Sequence, residues 1–435
     1  MRFGLDFGTS NTTLAVEDGG TVRVLEIDPL AGATMPSVLY VRRDGSALVG
    51  RPATLAFLAD NASRGPVKRE LRLLGVRLAS SDNKAQAKVE AHILADPSSP
   101  GRFFQSLKTF LGDPLLRPTN VFGDAKGLSD LIATILEHVR TRARDLTGTA
   151  PETVTLGRPV EFIGGPEAEE RATARLAEAA RLAGFRDVRS ELEPVAAAWA
   201  ANVADGTALV FDFGGGTLDL CVTRRERGAI RVLATAGADI GGDRMTQLLI
   251  DETVAPRLGA GVEWGPKRLI LPRFVTNAIG DWRALSALNE KWLLDALDEL
   301  VRAGAPRREL AALRSAIELQ LGYEIFATVD DAKRTLSDAS TAFVVFHRGS
   351  VDVDERVTRR RFEGLISPLM ERIAALCASV LDRAGADPAS VVEVVTTGGS
   401  SAIPAARALL ARTFPAARVR EADPYRSVAA GLALR

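Results

Sequence analysis

Phe3-Gly4-Leu5-Asp6-Phe7-Gly8-Thr9-Ser10-Asn11-Thr12-Thr13-Leu14-Ala15-Val16 and Val210-Phe211-Asp212-Phe213-Gly214-Gly215-Gly216-Thr217-Leu218-Asp219-Leu220-Cys221-Val222 are two versions of one design. Each is a short apolar run ending in Asp-Phe-Gly, then a turn of small residues, then a second apolar run. Apolar runs of this length bounded by glycine have the pattern of strands, so each segment is strand, turn, strand. Asp6 and Asp212 lie 212 − 6 = 206 residues apart, about half of the 435-residue chain. A repeat at that period implies two lobes of common design, because solenoid units recur every ~20 to 50 residues.

Outward from each copy, the pattern continues in parallel. Residues 22–27 and 37–41 follow the first copy as strand-like runs, and residues 230–235 follow the second. Residues 167–183 form an Ala/Arg/Glu-rich helix ending at Gly184, and Pro194 stands near the start of another over 194–203. A helix over 365–383 stops at Gly385, a strand covers 391–396, and Pro404 opens a further helix. Strands alternating with helices predict an α/β fold with a mainly parallel central sheet in each lobe. Two stretches stand apart as insertions. Residues 42–111 are charged and have a helix-rich pattern; residues 248–339, with Trp264, Trp282 and Trp292, have a mostly helical one.

Composition narrows the function. Lys+Arg and Asp+Glu number 55 each, so the net charge is zero, which disfavours a non-specific nucleic-acid binder. Hydrophobic residues at 46% and charged residues at 25% exclude general disorder. Two cysteines and three histidines leave little for a disulfide framework, a thiol–imidazole metal site or a histidine triad. The N-terminus lacks a signal-peptide pattern, and the longest uncharged apolar run, around 194–204, is short of the ~20 residues that span a bilayer. A soluble cytoplasmic protein with no membrane or nucleic-acid partner is expected.

Glycine-rich turns let backbone amides converge on an anion, because no Cβ blocks the approach. Thr9, Ser10 and Thr217 add hydroxyl donors. Asp6 and Asp212 would repel a phosphate directly, so carboxylates beside such a cradle imply a divalent cation, Mg²⁺ held mostly through water. One copy alone is equally a plain hairpin. The pair, with Gly214-Gly215-Gly216 in one turn, points to a clamp on the phosphate tail of a nucleotide. No Gly-Lys-Ser/Thr ending occurs, and the turn leads into a strand, so neither a P-loop nor a dinucleotide fingerprint fits.

These residues resemble the heat-shock protein 70 family, within the wider actin, sugar-kinase and heat-shock ATPase superfamily. Leu5 to Asn11 is similar to its first phosphate motif, Phe211 to Asp219 to its second, and Glu193-Pro194-Val195-Ala196-Ala197-Ala198 to its first connecting motif. Val394 to Pro404 resembles the adenosine motif, Ala332-Lys333-Arg334-Thr335-Leu336-Ser337 the nucleotide-contacting helix, and Asp423 to Gly431 the closing helix. Gly241-Gly242-Asp243 resembles the family's double glycine, and Phe104 to Gly112 the segment of its catalytic lysine. The motifs run in family order over nearly the whole chain.

The resemblance implies a two-lobed actin-like ATPase fold, each lobe a ribonuclease H-like βββαβαβα unit, with the nucleotide cleft between them. Lobe I would cover 1–190 with an insertion at about 38–111, and helix 423–435 would pack back on it. Lobe II would cover 191–422 with an insertion at about 245–339. No substrate-binding domain is expected, as in the short YegD-like bacterial members. By the same resemblance, ATP and ADP with Mg²⁺ are the cofactors, and Lys108, Asp6, Glu193, Asp212, Asp219 and Thr217 carry hydrolysis by in-line water attack. Gly8, Thr9, Ser10, Asn11 and Gly214, Gly215, Gly216 would cradle phosphates. Gly241, Gly242, Asp330, Lys333, Arg334, Ser337, Gly398, Gly399 and Ser400 would receive adenosine. Nucleotide-dependent lobe closure in a monomer would serve a protein client or an exchange partner. The alternatives are a small-molecule kinase of the sugar-kinase branch, an actin-like filament subunit, and a nucleotide-binding regulator.

Three departures from the family pattern stand out. Ala402 occupies the place of an arginine that sandwiches the base, Asp330 that of a glutamate, and Tyr425 that of an aspartate. Adenine would then be held mainly from one face, so affinity below that of full-length chaperones is expected. Calorimetric titration returning a nanomolar dissociation constant for ATP would contradict it.

Overall fold

The structure, a computed structural model, describes residues 1–61, 70–79, 86–95, 100–160, 162, 166–227, 229–280, 284–285, 288–289, 291–422 and 427–435. Trp282 and the motif residues Asp423, Pro424, Tyr425 and Arg426 lie outside the described residues. Two sheets organise the chain. The first is built from β1 (Arg2–Phe7), β2 (Asn11–Asp18), β3 (Thr21–Leu25), β4 (Thr153–Arg158) and β5 (Asp187–Leu192), in the order β5-β4-β1-β2-β3. The second comprises β6 (Gly206–Phe213), β7 (Leu218–Glu226), β8 (Ala229–Ala238), β9 (Val391–Thr397) and β10 (Arg418–Glu421), in the order β8-β7-β6-β9-β10.

Strand order and direction match between the two. In each, the first three strands are antiparallel neighbours and the two later strands add parallel beside the first, so the sheets are mixed and the expectation of mainly parallel ones is corrected. Parallel additions need crossovers, and helices supply them. α1 (Leu128–Thr147) and α2 (Pro166–Leu182) do so in the first lobe. α6 (Arg359–Ala384) and α7 (Pro404–Thr413) do so in the second, behind α4 (Gly242–Thr253) and α5 (Gly322–Asp338).

The last helix of each half lies at the junction. α3 (Glu193–Ala201) packs on β6 and β7, whereas α8 (Ser427–Ala433) packs on β1 and β2 and crosses α3. Small residues make this crossing possible. Val195, Ala196, Ala197 and Ala198 share one buried cluster with Val428, Leu432, Val210 and Val395. A Cβ on Gly431 would sit 1.8 Å from the carbonyl oxygen of Ala196, and one on Gly4 of β1 would sit 2.2 Å from the amide nitrogen of Ala433.

The two insertions differ in kind. The helical reading of 42–111 is corrected. Its described residues hold one helix, Arg51–Asn61, but strands Val38–Arg42, Ala47–Val49 and Gly101–Gln105 in one small sheet and a hairpin of Glu70–Ala79 with Gln86–Ala95. Leu71-Arg72-Leu73 and Val76-Arg77-Leu78 alternate apolar and charged residues at period two, which favours strands despite the good helix formers present. The second insertion is mostly helical, with Arg273–Ile279, Lys291–Arg302 and Arg307–Glu318 ahead of α5. Its Trp264, Leu294, Leu313 and Ile317 belong to the same core as β6 and β7, so this insertion thickens the second lobe.

Among the described residues one helix, α6, is long and apolar enough to cross a membrane. Its Phe362, Ile366, Ile373, Cys377 and Val380 lie in the core of the second lobe, which accounts for its apolar face. Gly385, in the left-handed region at φ 59°, ends it.

Gly431→Ala sets two effects against each other. Alanine gains about 1 kcal/mol of helix propensity over glycine. A contact at 1.8 Å to backbone cannot be relieved by turning a side chain, and overpacking costs about 1–3 kcal/mol or more. A lower thermal midpoint is expected; an unchanged or raised one would show that the α3–α8 crossing is looser than this geometry.

Candidate functional site

Both Asp-Phe-Gly turns close in the same way. The Gly8 amide donates to the Asn11 carbonyl at 2.9 Å, and the Gly214 amide donates to the Thr217 carbonyl at 3.0 Å. The double glycine docks on the second turn: the Gly242 amide donates to Gly214 O at 3.1 Å and the Asp243 amide to Gly215 O at 2.8 Å. A Cβ on Gly241 would meet Gly215 O at 2.0 Å. Gly398 approaches from β9 at φ 78°, where a Cβ would lie 2.3 Å from Phe213 O, and Ser400 Oγ donates to Gly214 O at 2.8 Å. Side chains are thus excluded wherever these loops converge, which leaves backbone amides and hydroxyls to face a ligand.

One cleft between the lobes is lined by Asp6, Gly8, Thr9, Ser10, Asn11, Lys108, Glu193, Asp212, Gly214, Gly215, Gly216, Thr217, Asp219, Gly398 and Gly399. Thr13 and Val428 complete it. Neither was singled out from sequence, although Thr13 is the register partner of Asp6 across β1 and β2.

Lys108 sits on a short 3₁₀ turn, Leu107–Phe110, entered through Ser106 in the left-handed region at φ 54°. Such a conformation in serine is held by its surroundings and is typical of functional loops. The lysine is only 7% exposed, and its Nζ donates to Glu193 Oε1 at 2.5 Å. Glu193 opens α3, where a carboxylate favours the positive helix end, and Gly157 leaves room for its stem. Among the described residues Glu193 is the one hydrogen-bond partner of Lys108. An ammonium has three donors, so two N–H groups remain for water or a phosphoryl oxygen.

The carboxylates carry a surplus of charge. Asp212 and Asp219 are direct register partners across β6 and β7, a like-charge pair that a structural sheet avoids. Burial, then Glu193, push Asp6 up to about 7, although Lys108 pulls the other way. Burial, then Glu193, raise Asp219 to about 7 against the Val160 amide and the Thr217 hydroxyl that donate to it at 3.0 and 3.1 Å. Asp212 lies well above the usual carboxylate range through burial and its three acidic neighbours. Burial alone would lower Lys108, but Glu193, Asp6 and Asp219 outweigh it and raise it.

This donor set fits a hard divalent cation, which prefers carboxylate and water oxygens. Among the described residues no group of three or more His, Cys, Asp and Glu side chains is disposed to hold a metal ion. An ion held by Asp6 and Asp212 largely through water is compatible with that spacing.

The candidate adenosine residues divide. Gly398 and Gly399 reach the cleft, and Ser400 fixes the loop. Lys333 is 8% exposed and spends three N–H donors internally, on Gly242 O at 3.0 Å, Thr246 Oγ1 at 2.9 Å and Asp330 Oδ1 at 2.6 Å. It therefore props the double glycine from behind, with no donor left over for a ligand. Asp330 is raised by burial but lowered overall by Lys333, Arg334 and Thr246. Arg334 is 68% exposed and pairs with Asp330 at 2.8 Å; Ser337 is half-buried on the same helix. Thr246, one turn beyond Gly242, was missed: a threonine inside a helix carries no signal of a partner 87 residues away.

The family model described as Hsp70 protein matches residues 2–293 and 319–435. The chain belongs to the Hsp70 family. Residues 294–318, between the matched stretches, fall in the helical insertion. The "Chaperone protein HscA" of Pectobacterium carotovorum subsp. carotovorum is 29% identical over all of this chain and 58% of that protein. The "Chaperone protein HscA homolog" of Azotobacter vinelandii is 28% identical over all of this chain and 57% of its own length, and HscA of Salmonella agona is 28% identical over 58%. The chain thus spans about three-fifths of the length of these curated Hsp70-family relatives. The α/β fold with its repeated sheets agrees with the Hsp70 nucleotide-binding fold.

The raised carboxylates fix a pH dependence. Their folded pKa, about 7 for Asp6 and Asp219, exceeds the ordinary 3.8, so their contribution to stability is full below pH 3.8 and is lost as pH rises toward 7. Asp212→Asn relieves the repulsion. Without ligand it is expected to melt a few degrees above the parent at pH 8, the gap closing toward pH 5, where these groups are protonated in the fold. A variant less stable than the parent at pH 8 would remove the electrostatic account of this cluster.

Proposed function

We propose that this Hsp70-family chain binds ATP in the interlobe cleft and hydrolyses it, as a chaperone-related ATPase whose lobes close around the nucleotide. The observation that carries the reading is the buried Lys108–Glu193 pair at 2.5 Å, set among Asp6, Asp212 and Asp219 and beside the glycine turns. A lone buried lysine would lose its proton; this one is kept charged by three carboxylates and retains two free donors.

Each residue has a defined task in such a reaction. The amides of Thr9 and Ser10 in one lobe and of Gly215 to Thr217 in the other receive phosphate oxygens, while those of Gly8 and Gly214 close the turns. Lys108 orients the attacking water and stabilises charge on the γ-phosphoryl oxygens as the bond to the leaving ADP breaks. Glu193 fixes that ammonium in place. The Thr217 hydroxyl is aimed by Asp219, which also accepts from the Val160 amide and so ties the second turn to the first lobe. When bound, Mg²⁺ supplies charge neutralisation along the phosphate tail, with Asp6 and Asp212 holding it through water. Positioning and charge stabilisation make up the whole catalytic effect, so turnover is slow without a partner. A protein client or exchange partner in the cytoplasm, and a monomeric chain, belong to the same reading. The kinase and filament alternatives have no observation of their own in their favour.

A Mg²⁺-dependent ATPase assay tests it. Lys108→Ala is expected to lower kcat by about 10²-fold or more while ADP binding persists, since removing one transition-state donor costs about that much. Equal turnover in the parent and Lys108→Ala would show the assignment wrong.

A further inference from the structure

A second interlobe cavity of about 310 Å³ borders the phosphate cleft and shares the walls Thr9, Gly215 and Gly216 with it. The first lobe contributes Gln105, Thr109 and Phe110, and the second contributes Asp239, Arg244 and Gln247. A smaller cavity lined by Lys108, Thr109, Gly216, Thr217 and Asp239 joins the two. The second cavity is therefore continuous with the end of the cleft where Lys108 stands.

Its chemistry is not explained by folding. Among the described residues neither Asp239 nor Arg244 has an ion-pair or hydrogen-bond partner, although both line this cavity; both are also exposed to solvent. They do not pair with each other, so a gap separates a free carboxylate from a free guanidinium. Across from them, Gln105 keeps a buried Oε1 with no partner, an acceptor lacking its donor. Gln247 is fixed by donating to Asp251 Oδ1 at 2.9 Å and by packing on Gly280, where a Cβ would sit 1.4 Å from its Nε2.

We propose that this cavity binds a small molecule carrying a carboxylate and, a few atoms away, an ammonium or hydroxyl group: the shared chemistry of amino acids and hydroxy acids. Arg244 takes the carboxylate, for which its forked donors are suited, and Asp239 takes the ammonium or hydroxyl. Gln105 turns its unpaired Oε1 toward a remaining donor. Because the walls come from both lobes, the occupant holds the cleft closed and slows nucleotide release. This last consequence rests on the nucleotide reading above; the binding itself does not.

Calorimetric titration with L-serine, D-glycerate and glucose, each with and without ADP, tests the cavity. Saturable binding of serine or glycerate is expected, with glucose inert for want of a carboxylate. Serine binding alone identifies an amino-acid site, and glycerate alone a hydroxy-acid site. Arg244→Ala and Asp239→Asn should each weaken it at least tenfold, with partial recovery in Arg244→Lys, while ADP affinity stays within twofold. In the parent, a saturating probe should slow release of a fluorescent ADP several-fold, and Arg244→Ala should abolish that effect. No saturable binding of either probe, or unchanged binding in Arg244→Ala, overturns the inference. If ADP binds normally while both probes fail, the cavity assignment falls and the ATPase reading stands. If ADP fails while a probe binds in an Arg244-dependent way, the converse holds.

Discussion

Four carboxylates, Asp6, Glu193, Asp212 and Asp219, share one buried cleft with a single ammonium, Lys108. Among the described residues Lys108 is the one cation lining that cleft, and two of the carboxylates face each other across adjacent strands. Burying unpaired charge costs several kcal/mol per group, which a fold tolerates only when the rest of the structure is stable enough to hold the groups in place. Much of the architecture can be understood as that support. Each lobe has its own large apolar core behind the sheet that ends in the cleft, so the acidic strand ends project from rigid platforms. A third cluster, at the α3–α8 crossing, locks the platforms together directly beneath the charges.

Glycine is the second half of the arrangement. Side-chain atoms would fill the space at Gly215, Gly241, Gly242 and Gly398, where an added Cβ would meet Ser10, Gly215, Ser400 and Phe213 atoms at 2.7 Å or less. Four chain segments far apart in sequence can therefore approach to hydrogen-bond distance around one turn. Lys333 extends this principle outward. It is buried behind the double glycine, fully hydrogen-bonded, and so stiffens the loop that the ligand would touch from the other side. The two buried lysines thus have opposite designs: Lys108 keeps donors in reserve, and Lys333 has none.

The repeat of Asp-Phe-Gly was legible because it rests on local rules: an apolar strand, a carboxylate at its end, and glycine where the backbone must turn. The two lobes of common design and the acidic pair Asp6 and Asp212 follow from it, whereas the antiparallel pairing of the first three strands in each sheet does not, because alternation of strand and helix marks only the later, parallel strands. Lys108 needed the flanking family pattern, since a single lysine has no local signature of burial. The strand-rich first insertion was misread because arginine and glutamate suit helices individually, whereas the deciding signal was the alternation over 70–79. The role of Lys333 was out of reach for a different reason. It depends on Gly242 and Thr246, which are brought beside it only by tertiary packing of α4 against α5.

Under the proposed function, the same charge surplus that strains the ligand-free cleft would also set its response to ligand. Asp6 belongs to the first sheet and Asp212 to the second, and after burial, Glu193 and Asp219, the Asp6 carboxylate across the gap between lobes raises the proton affinity of Asp212 further. Repulsion between groups on separate platforms acts as a force that opens the cleft. On that reading a cationic counter-charge between them would reverse its sign, and binding and closure would be one event. Ligand affinity is then reduced by the work of closing and increased by relief of the strain, and the balance depends on how firmly α3 and α8 resist the movement. A looser crossing would let the lobes part without ligand and waste the repulsion. If the lobes close as proposed, the close approach of Gly431 to Ala196 would be as much a part of that response as the carboxylates.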